Sequence, residues 1–293
     1  MVLATAALLG FVSLAVILRS APLAHAASGK SRIVFDSNRD GDDEIFTMKP
    51  NGSHVQQLTH NTTADFEPAF SPNGRRIAFT SDRDGDFEIF TMRANGAHLH
   101  QITHNHSGED EPAFSPNGKR IAFDSARDGD DEIFTMKANG THQRRLTHNT
   151  AADRRPAYSP NGKRIAFDGD RAGDFDVLVM KVNGANQHRL TKGPADDFAP
   201  AYAPNGKHIA FTGSDGDEEL YAMRPNGSHV RQLTHNAAFD ERPTYSPNSE
   251  LLAFDSDRAG SIDIFKMRAD GSAQRRLTHK PGFDELPDWG RAP

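Results

Sequence analysis

Acidic residues recur three positions before a proline in this sequence, and they are the first candidates for chemistry. The six acids are Asp65, Glu109, Asp153, Asp197, Asp240 and Asp284. A ring of carboxylates could bind a cation or a basic peptide, because ionised acceptors make the stronger hydrogen bonds. The alternative is structural, since loop carboxylates also accept N–H bonds from their own turns. We predict a ligand-binding ring at the mouth of a central channel, with the structural role as the alternative.

A second candidate is a calcium-binding loop. Side-chain oxygens occur at positions 1, 3, 5 and 9 of one loop, from Asp36, Asn38, Asp40 and Glu44. This spacing resembles that of calcium loops, and hard cations prefer clustered oxygen ligands. The alternative is a glycine turn in which Arg39 pairs with a carboxylate. We therefore expect no cofactor, with Ca²⁺ at this loop as the alternative.

Histidines form a third repeated set, at the end of a Leu/Ile-Thr-His motif. They are His60, His104, His148, His235 and His279, and Lys192 replaces the histidine in the fourth copy. Histidine near carboxylates is typical of metal sites, acid–base chemistry or pH-sensitive binding. The alternative is a strand-end residue that bonds to its own loop.

These three sets are positioned by an internal repeat. The Leu/Ile-Thr motif returns at intervals of 44, 44, 44, 43 and 44 residues. The first cycle contains strand-like runs at 32–36, 44–48, 55–59 and 68–71, which we label B, C, D and A of the next unit. Asn51-Gly52 and Asn73-Gly74 supply the positive φ angles of tight turns. Four strands in a unit of about 40–45 residues is the signature of a propeller.

The sequence therefore predicts an all-β fold, a single six-bladed β-propeller with four antiparallel strands per blade. The folded region begins with a strand B and ends with a strand A containing Trp289. We expect the final strand to complete the first blade, because a closed ring leaves no unpaired edge. Trp289 should then pack at the seam.

Charge separates between the two sets of loops. The B–C loops are 36–44, 80–88, 124–132, 168–176, 212–219 and 255–263, and the D–A loops are 60–67, 104–111, 148–155, 192–199, 235–242 and 279–286. Together they hold 37 of the 40 Asp and Glu residues, so the face that they share is predicted to be acidic, and we call it the acidic face. Bases lie on the opposite loops, including Lys49, Arg75, Lys119, Arg144 and Arg145. A protein or basic peptide is the expected partner of the acidic face. A formal net charge of −6 gives no reason to expect nucleic acid.

The first residues are of a different kind. Residues 2–18 are apolar or small and are followed by Ala24-His25-Ala26, the pattern of a cleaved secretory signal. We predict a signal peptide at 1–26, a linker at 27–30 and the propeller at 31–293. The protein is then periplasmic or secreted, is a monomer and has no transmembrane domain once the signal is cleaved. The alternative is that the segment is kept as a membrane anchor. It contains no cysteine, so it forms no disulfide.

The repeat resembles that of the TolB β-propeller, a relative of WD-type repeats. The resemblance rests on the string DFEPAFSPNGRRIAFTSDRDGDFEIFTM at 65–92 and its copies, and it covers 31–290. It implies a non-catalytic protein-binding scaffold. The α/β domain that precedes the propeller in TolB has no counterpart in this sequence.

An enzyme is the alternative function: a metal-dependent propeller enzyme that acts on a polysaccharide or small ester, with His and Asp at the channel mouth. Six near-identical blades do not readily supply the different groups that catalysis needs. Deviations from the repeat concentrate in blades four to six. Blade five reads Phe211-Thr212-Gly213-Ser214-Asp215-Gly216 and lacks the arginine that the other copies place in this loop. A unique pocket is expected on that side.

Overall fold

The computed structural model describes residues 31–214 and 216–292. Within them, 24 strands form six separate four-stranded antiparallel sheets. This confirms the all-β, six-bladed propeller with four strands per blade. The predicted signal peptide (1–26) and linker (27–30) lie outside the described residues. No helix in the described part of the chain is long and apolar enough to cross a bilayer.

Each blade runs from an innermost strand at the central channel to a short outermost strand. The innermost strands are β4 (Asp65–Phe70), β8 (Glu109–Phe114), β12 (Asp153–Tyr158), β16 (Asp196–Tyr202), β20 (Asp240–Tyr245) and β24 (Asp284–Arg291). The second strands are β1 (Ser31–Ser37), β5 (Arg76–Ser81), β9 (Arg120–Ser125), β13 (Arg164–Gly169), β17 (Ile209–Ser214) and β21 (Leu251–Ser256).

The third and outermost strands complete the blades. The third strands are β2 (Glu44–Met48), β6 (Glu88–Arg93), β10 (Glu132–Lys137), β14 (Asp176–Lys181), β18 (Glu218–Met223) and β22 (Asp263–Arg268). The outermost strands are β3 (Gln56–Gln57), β7 (His100–Gln101), β11 (Arg144–Arg145), β15 (His188–Arg189), β19 (Arg231–Gln232) and β23 (Arg275–Arg276). Blade 1 is formed by β24, β1, β2 and β3, and blades 2 to 6 follow in chain order.

The outermost strands are shorter than the predicted run at 55–59, and the repeated threonine explains why. Leu58 donates its N–H to the carbonyl of Ile45 at 2.7 Å, which continues the ladder past β3. The next bond is then made by a side chain, because Thr59 Oγ1 accepts the N–H of Ile45 at 2.8 Å. The same bond recurs in every blade. The Leu/Ile-Thr motif is therefore a strand terminator.

The ring closes between the two ends of the described chain, as predicted. Strand β24 pairs antiparallel with β1, with Ile33 opposite Trp289 and Ser37 opposite Asp284. Trp289 is 5% exposed and packs with Ile33 and Met48, and its Nε1 donates to Ser31 Oγ at 3.2 Å. Trp289 therefore lies at the seam.

The hydrophobic core lies mostly between neighbouring blades. Val34 and Ile45 of blade 1, for example, pack against Ile77 and Phe79 of blade 2. Turns of one blade also approach the backbone of the preceding blade closely. A Cβ at Gly140 would lie 2.1 Å from the carbonyl oxygen of Ile102. Glycine in the Asn-Gly turns therefore provides both the turn angle and the inter-blade contact.

Candidate functional site

The innermost strands surround a central cavity of about 190 Å³. The residue before each strand-A proline lines it and has a positive φ angle. These ring residues are Glu67, Glu111, Arg155, Ala199, Arg242 and Leu286. Small side chains such as Ala69, Ala113 and Ala201 line the cavity beyond the prolines. The channel therefore has a charged ring that does not follow the six-fold symmetry of the fold.

The left-handed conformation of the ring residues is fixed by the neighbouring blade. Asp124 Oδ1 accepts the backbone N–H of Arg155 at 3.2 Å, and Asp168 Oδ1 accepts that of Ala199 at 3.0 Å. Asp36 does the same for Glu67 at 3.3 Å. A buried carboxylate of one blade thus holds the channel-lining residue of the next in place.

These buried carboxylates crowd negative charge around the channel. Burial raises the pKa of Asp36, Asp124 and Asp255 well above its ordinary value, and nearby carboxylates such as Glu285, Glu111 and Glu241 raise it further. Burial likewise raises the pKa of Glu67, with Glu111 adding to it.

Arg155 supplies part of the missing positive charge. Its guanidinium lies 3.3 Å from Glu111 Oε1 and 3.1 Å from Asp168 Oδ2. Arg242 is the second cation of the ring, and its Nε lies 3.8 Å from Glu241 Oε2. Even so, burial raises the pKa of Asp168 to about 7 against the opposing effect of Arg155. Carboxyl groups therefore outnumber the two arginines around the ring.

On the loop side of this ring, the residues one position before the ring residues include three half-buried carboxylates and one half-buried arginine, Arg154, which pairs with Asp131. Asp110, Glu241 and Glu285 each come one residue before a ring residue. Burial raises the pKa of Asp110 to about 7, with Glu111 and Asp131 adding to it. Burial also raises the pKa of Glu241 and Glu285. This mouth can accept positive charge, because a bound cation would relieve repulsion among the carboxylates.

The six acids predicted to ring the channel mouth lie elsewhere. Asp65, Glu109, Asp153 and Asp240 are 0% exposed, Asp284 is 1% exposed, and Asp197 is half-buried. None of them is among the residues that line the channel. Five are paired with loop arginines, as in the contact of 2.6 Å between Arg83 Nη2 and Asp65 Oδ1. The expected position was wrong because the strand shifts register between these acids and the prolines, which brings the residue before each proline to the channel.

The four predicted calcium ligands do not converge either. Asp36 pairs across the sheet with Ile45 and Ser37 pairs with Glu44, so Asp36 and Glu44 point to opposite faces. Asn38 Oδ1 accepts the N–H of Phe283 at 2.7 Å, and Asp40 Oδ2 accepts Gln57 Nε2 at 2.5 Å. The spacing of these four residues is instead explained by a tight turn, in which Gly41 donates its N–H to the carbonyl of Asn38 at 3.0 Å.

Carboxylates do come together in the equivalent loop of blade 2. Oxygens of Asp84, Asp86 and Glu88 lie within 4.8 Å of one another. Gln101 donates to Asp84, and His106 Nδ1 lies 3.6 Å from Asp86. Acidic groups of this kind are common on protein surfaces, so the cluster alone does not define a metal site.

The repeated histidines are exposed at the blade edges. All five are solvent-exposed: His60, His104, His148, His235 and His279. The channel lining contains no histidine among the described residues. The structure therefore does not assemble the His–Asp mouth on which the enzyme alternative depends.

Exposed acids recur in the B–C loops and exposed bases in the loops at the other end of the strands, but three arginines of the outermost strands, Arg145, Arg189 and Arg276, pair with acids of the B–C loops. Asp40, Asp84 and Asp128 are exposed in the B–C loops, whereas Lys49 and Lys119 are exposed on the opposite side. Arg145 was predicted to belong to the basic side. It contacts acids of a B–C loop instead, with Nη1 3.0 Å from Asp128 and Nη2 2.5 Å from Glu132. An outermost strand of two residues lets this side chain reach the loop.

The ring residues themselves were not singled out from the sequence. Their signal was variation: the position before the proline reads Glu, Glu, Arg, Ala, Arg and Leu, whereas the proline after it and the acid two residues before it recur in every copy. In a repeat protein, a position whose residue type differs between copies is one that the shared fold does not determine.

Fold and channel together define a class: a closed six-bladed propeller with an asymmetric charged channel. The family model of the TolB beta propeller domain matches residues 18–111, 105–197 and 194–291. The chain belongs to this family.

Solved structures share the fold at low sequence identity. TolB from Acinetobacter baumannii is 22% identical with a TM-score of 0.79; the match covers 89% of this chain and 66% of that one. A provisionally named TolB from Agrobacterium tumefaciens is 20% identical with a TM-score of 0.71, covering 90% and 99% of the two chains. A chain of a nidogen/laminin complex is 12% identical with a TM-score of 0.73, covering 89% and 98%. This chain thus spans about two thirds of the Acinetobacter protein. A search of curated protein sequences found no match.

Proposed function

We propose that the protein is an exported, non-catalytic binding scaffold that holds a basic protein segment at the mouth of its channel on the acidic face. The fold is compatible with protein binding in general, and a propeller of this shape occurs in a nidogen/laminin complex. The observation that carries the proposal is the group of half-buried carboxylates Asp110, Glu241 and Glu285 around one opening.

A cationic segment fits this opening for electrostatic reasons. Burial raises the pKa of Asp110, with Glu111 and Asp131 adding to it, and burial raises that of Glu241, with Glu285 adding to it. A lysine or arginine side chain placed among these carboxyl groups would favour their ionised form, and the ionised carboxylates would attract its positive charge. The two arginines of the ring, Arg155 and Arg242, are engaged with or close to acids deeper in the channel. The mouth therefore favours positive over negative ligands.

The proposal can be tested with a labelled peptide of alternating lysine and glycine and its glutamate counterpart. We expect the lysine peptide to bind and its affinity to fall steeply between low and high salt, because exposed charges are screened. The variant Asp110→Asn/Glu241→Gln/Glu285→Gln should lose at least tenfold in affinity. A control variant on the opposite face, Lys119→Gln/Lys163→Gln, should bind as the wild type does. Equal binding of both peptides, or equal affinity of both variants, would refute the proposal.

Export is a separate part of the proposal. Residues 1–30 fused to a reporter that is active only outside the cytoplasm should give activity, and a fusion lacking residues 2–26 should give none. Reporter activity that does not depend on residues 2–26 would count against export through this segment.

A further inference from the structure

An internal arginine clamp recurs in five of the six blades. In each, an arginine from the loop between the second and third strands pairs with the acid that begins or nearly begins the innermost strand. The pairs are Arg39–Asp284, Arg83–Asp65, Arg127–Glu109, Arg171–Asp153 and Arg258–Asp240. The repetition shows that this space in a blade is shaped for a guanidinium group.

Blade 2 shows what the guanidinium contacts. Arg83 Nη2 lies 2.6 and 2.7 Å from the two oxygens of Asp65, and Nε donates to Ser81 Oγ at 2.9 Å. Its central carbon lies 5.6 Å from the ring centre of Phe79 and 4.8 Å from that of Phe90. A carboxylate, a hydroxyl and an aromatic pair thus enclose the planar cation, and each favours arginine over other cations.

Blade 5 keeps the carboxylate and the aromatic pair of this clamp but lacks the arginine and the serine hydroxyl. Asp197 occupies the acid position, opposite Gly213. Phe211 and Tyr221 form the aromatic pair, with ring centres 5.6 Å apart and an angle of 20° between the planes. The loop that follows is one residue shorter and contains no arginine. Among the described residues, no cationic side chain pairs with Asp197.

The space left by the arginine is a cavity of about 530 Å³. Asp197, Phe211, Gly213 and Tyr221 line it on the side of blade 5, and Leu190 and Thr191 line it on the side of blade 4. Gly213 widens it further, since a Cβ there would lie 2.9 Å from both Asp197 Oδ1 and the Tyr221 ring. Val230 at its edge is 51% exposed, so the cavity opens to solvent.

The local charge favours a cation. Partial burial raises the pKa of Asp197 to about 6, a hydrogen bond from Thr191 opposes this, and Asp176 and Asp174 add to it. Arg189 is already paired with Asp176. Lys192 is the one base among the described residues that line the cavity, and its side chain is exposed. Its ammonium lacks the planar shape that the aromatic pair matches.

We propose that this cavity, between blades 4 and 5, binds the guanidinium group of an arginine side chain presented by a partner protein. The incoming arginine takes the place that Arg39, Arg83 and their equivalents fill in the other blades. It pairs with Asp197 and stacks on Phe211 and Tyr221. The site is separate from the channel mouth, so the two can be tested independently.

The first test compares three blocked tripeptides, Ala-Arg-Ala, Ala-Lys-Ala and Ala-citrulline-Ala, by amide chemical-shift changes. Citrulline keeps the shape of arginine and removes its charge. We expect the arginine peptide alone to shift the amides of Gly213, Ser214 and Val230, with saturation in the millimolar range. Asp197→Asn should weaken binding at least tenfold. Asp217→Asn removes a charge from the same loop outside the cavity lining and should leave binding unchanged.

The second test fills the cavity from within. One arginine inserted between Ser214 and Asp215 restores the loop length and residue pattern of blade 6. The inserted protein should melt at a higher temperature than the wild type and should no longer respond to the arginine peptide. Lys192→Ala should strengthen peptide binding about twofold or more, because it removes a competing positive charge.

Several results would overturn the proposal. Equal shifts with arginine and citrulline would show that the cavity does not recognise charge. Binding of methylguanidinium without binding of the tripeptide would exclude a protein side chain as the ligand. An inserted arginine that neither raises the melting temperature nor blocks the peptide would show that blade 5 lacks the clamp geometry. The triple channel-mouth variant should bind the tripeptide normally, which separates this site from the proposed function.

Discussion

Trp289 of the last strand lies opposite Ile33 of the first, and its indole Nε1 donates to Ser31 Oγ at 3.2 Å. These contacts join the two ends of the described chain within one blade. Between blade 6 and blade 1, Lys266 Nζ donates to the carbonyl of Pro50 at 2.7 Å. The last strand is thus the fourth strand of blade 1, and without it β1 would expose an unpaired edge.

Removal of residues 287–293 should therefore abolish cooperative unfolding. The truncated protein would lose the buried Trp289 and most of the pairing between β24 and β1. Thermal unfolding followed by circular dichroism checks this, with Trp289→Phe as the control. That variant keeps the strand and an aromatic ring and should still unfold cooperatively. A truncated protein with wild-type melting would show that closure does not depend on this strand.

Gly140→Ala should destabilise the protein by about 3 kcal/mol, because it combines an unfavourable backbone angle with a steric clash. Gly140 has a φ of +84°, and a Cβ there would lie 2.1 Å from the carbonyl oxygen of Ile102 in the preceding blade. Gly129→Ala is the matched control, since Gly129 has a φ of +112° and no atom within 4 Å of the added Cβ. It should cost about 1 kcal/mol. Equal losses in urea unfolding would mean that the inter-blade contact contributes nothing.

The stability of the protein should decrease as pH rises from about 5 to 8. Burial raises the pKa of Glu88 to about 8, with the nearby Glu109 adding to it, and raises that of Glu44 to about 7. A raised folded-state pKa means that the native state binds more protons than the unfolded chain in this range. The stabilisation that these carboxyl groups contribute is fully present below their pKa in the unfolded chain. It is lost as the pH rises through their pKa in the folded protein.

Melting temperatures at pH 5.5 and pH 8 test this dependence, and we expect the value at pH 5.5 to be several degrees higher. Glu88→Gln removes one of the titrating groups. The difference between the two pH values should therefore shrink in this variant. A melting temperature that is constant or rises towards pH 8 would contradict the raised pKa values.

The fold was predictable from the sequence because each repeat contains its own turn residues and its own strand-ending motif. Fixed spacing of the Leu/Ile-Thr motif defined the blades, and the unpaired strand at each end predicted the seam at Trp289. Side-chain direction near the channel was not predictable. The register shift that follows Phe66 turns Glu67 towards the channel. No residue type in the motif indicates that shift.

The ion pairs between innermost-strand acids and loop arginines were also not predictable from the sequence. Asp65 and Arg83 are 18 residues apart, and only the packing of strand against loop shows that one neutralises the other. For the same reason, the sequence predicts Arg145 on the basic side, whereas its side chain contacts Asp128 and Glu132. The altered loop of blade 5, by contrast, was visible as a missing residue, and a cavity lies beside it.

Asp153 and Asp197 offer a matched pair for measuring the arginine clamp. Both are acids of innermost strands, and both lie opposite a glycine, Gly169 and Gly213 respectively. Asp153 is 0% exposed and accepts hydrogen bonds from Arg171 at 2.6 and 3.1 Å. Asp197 has no arginine partner among the described residues. The same substitution should therefore have different consequences in blades 4 and 5.

Asp153→Asn should cost about 2–3 kcal/mol, since it breaks a largely buried ion pair and leaves Arg171 without its counter-charge. Asp197→Asn should cost less than about 0.5 kcal/mol at neutral pH, because it leaves no arginine without its counter-charge. Urea unfolding at pH 7.5 measures both. If the two substitutions were equally costly, Asp197 would be as well compensated as Asp153, and blade 5 would have no vacant clamp. If Asp153→Asn were the milder one, the ion pairs of the other blades would not stabilise the fold.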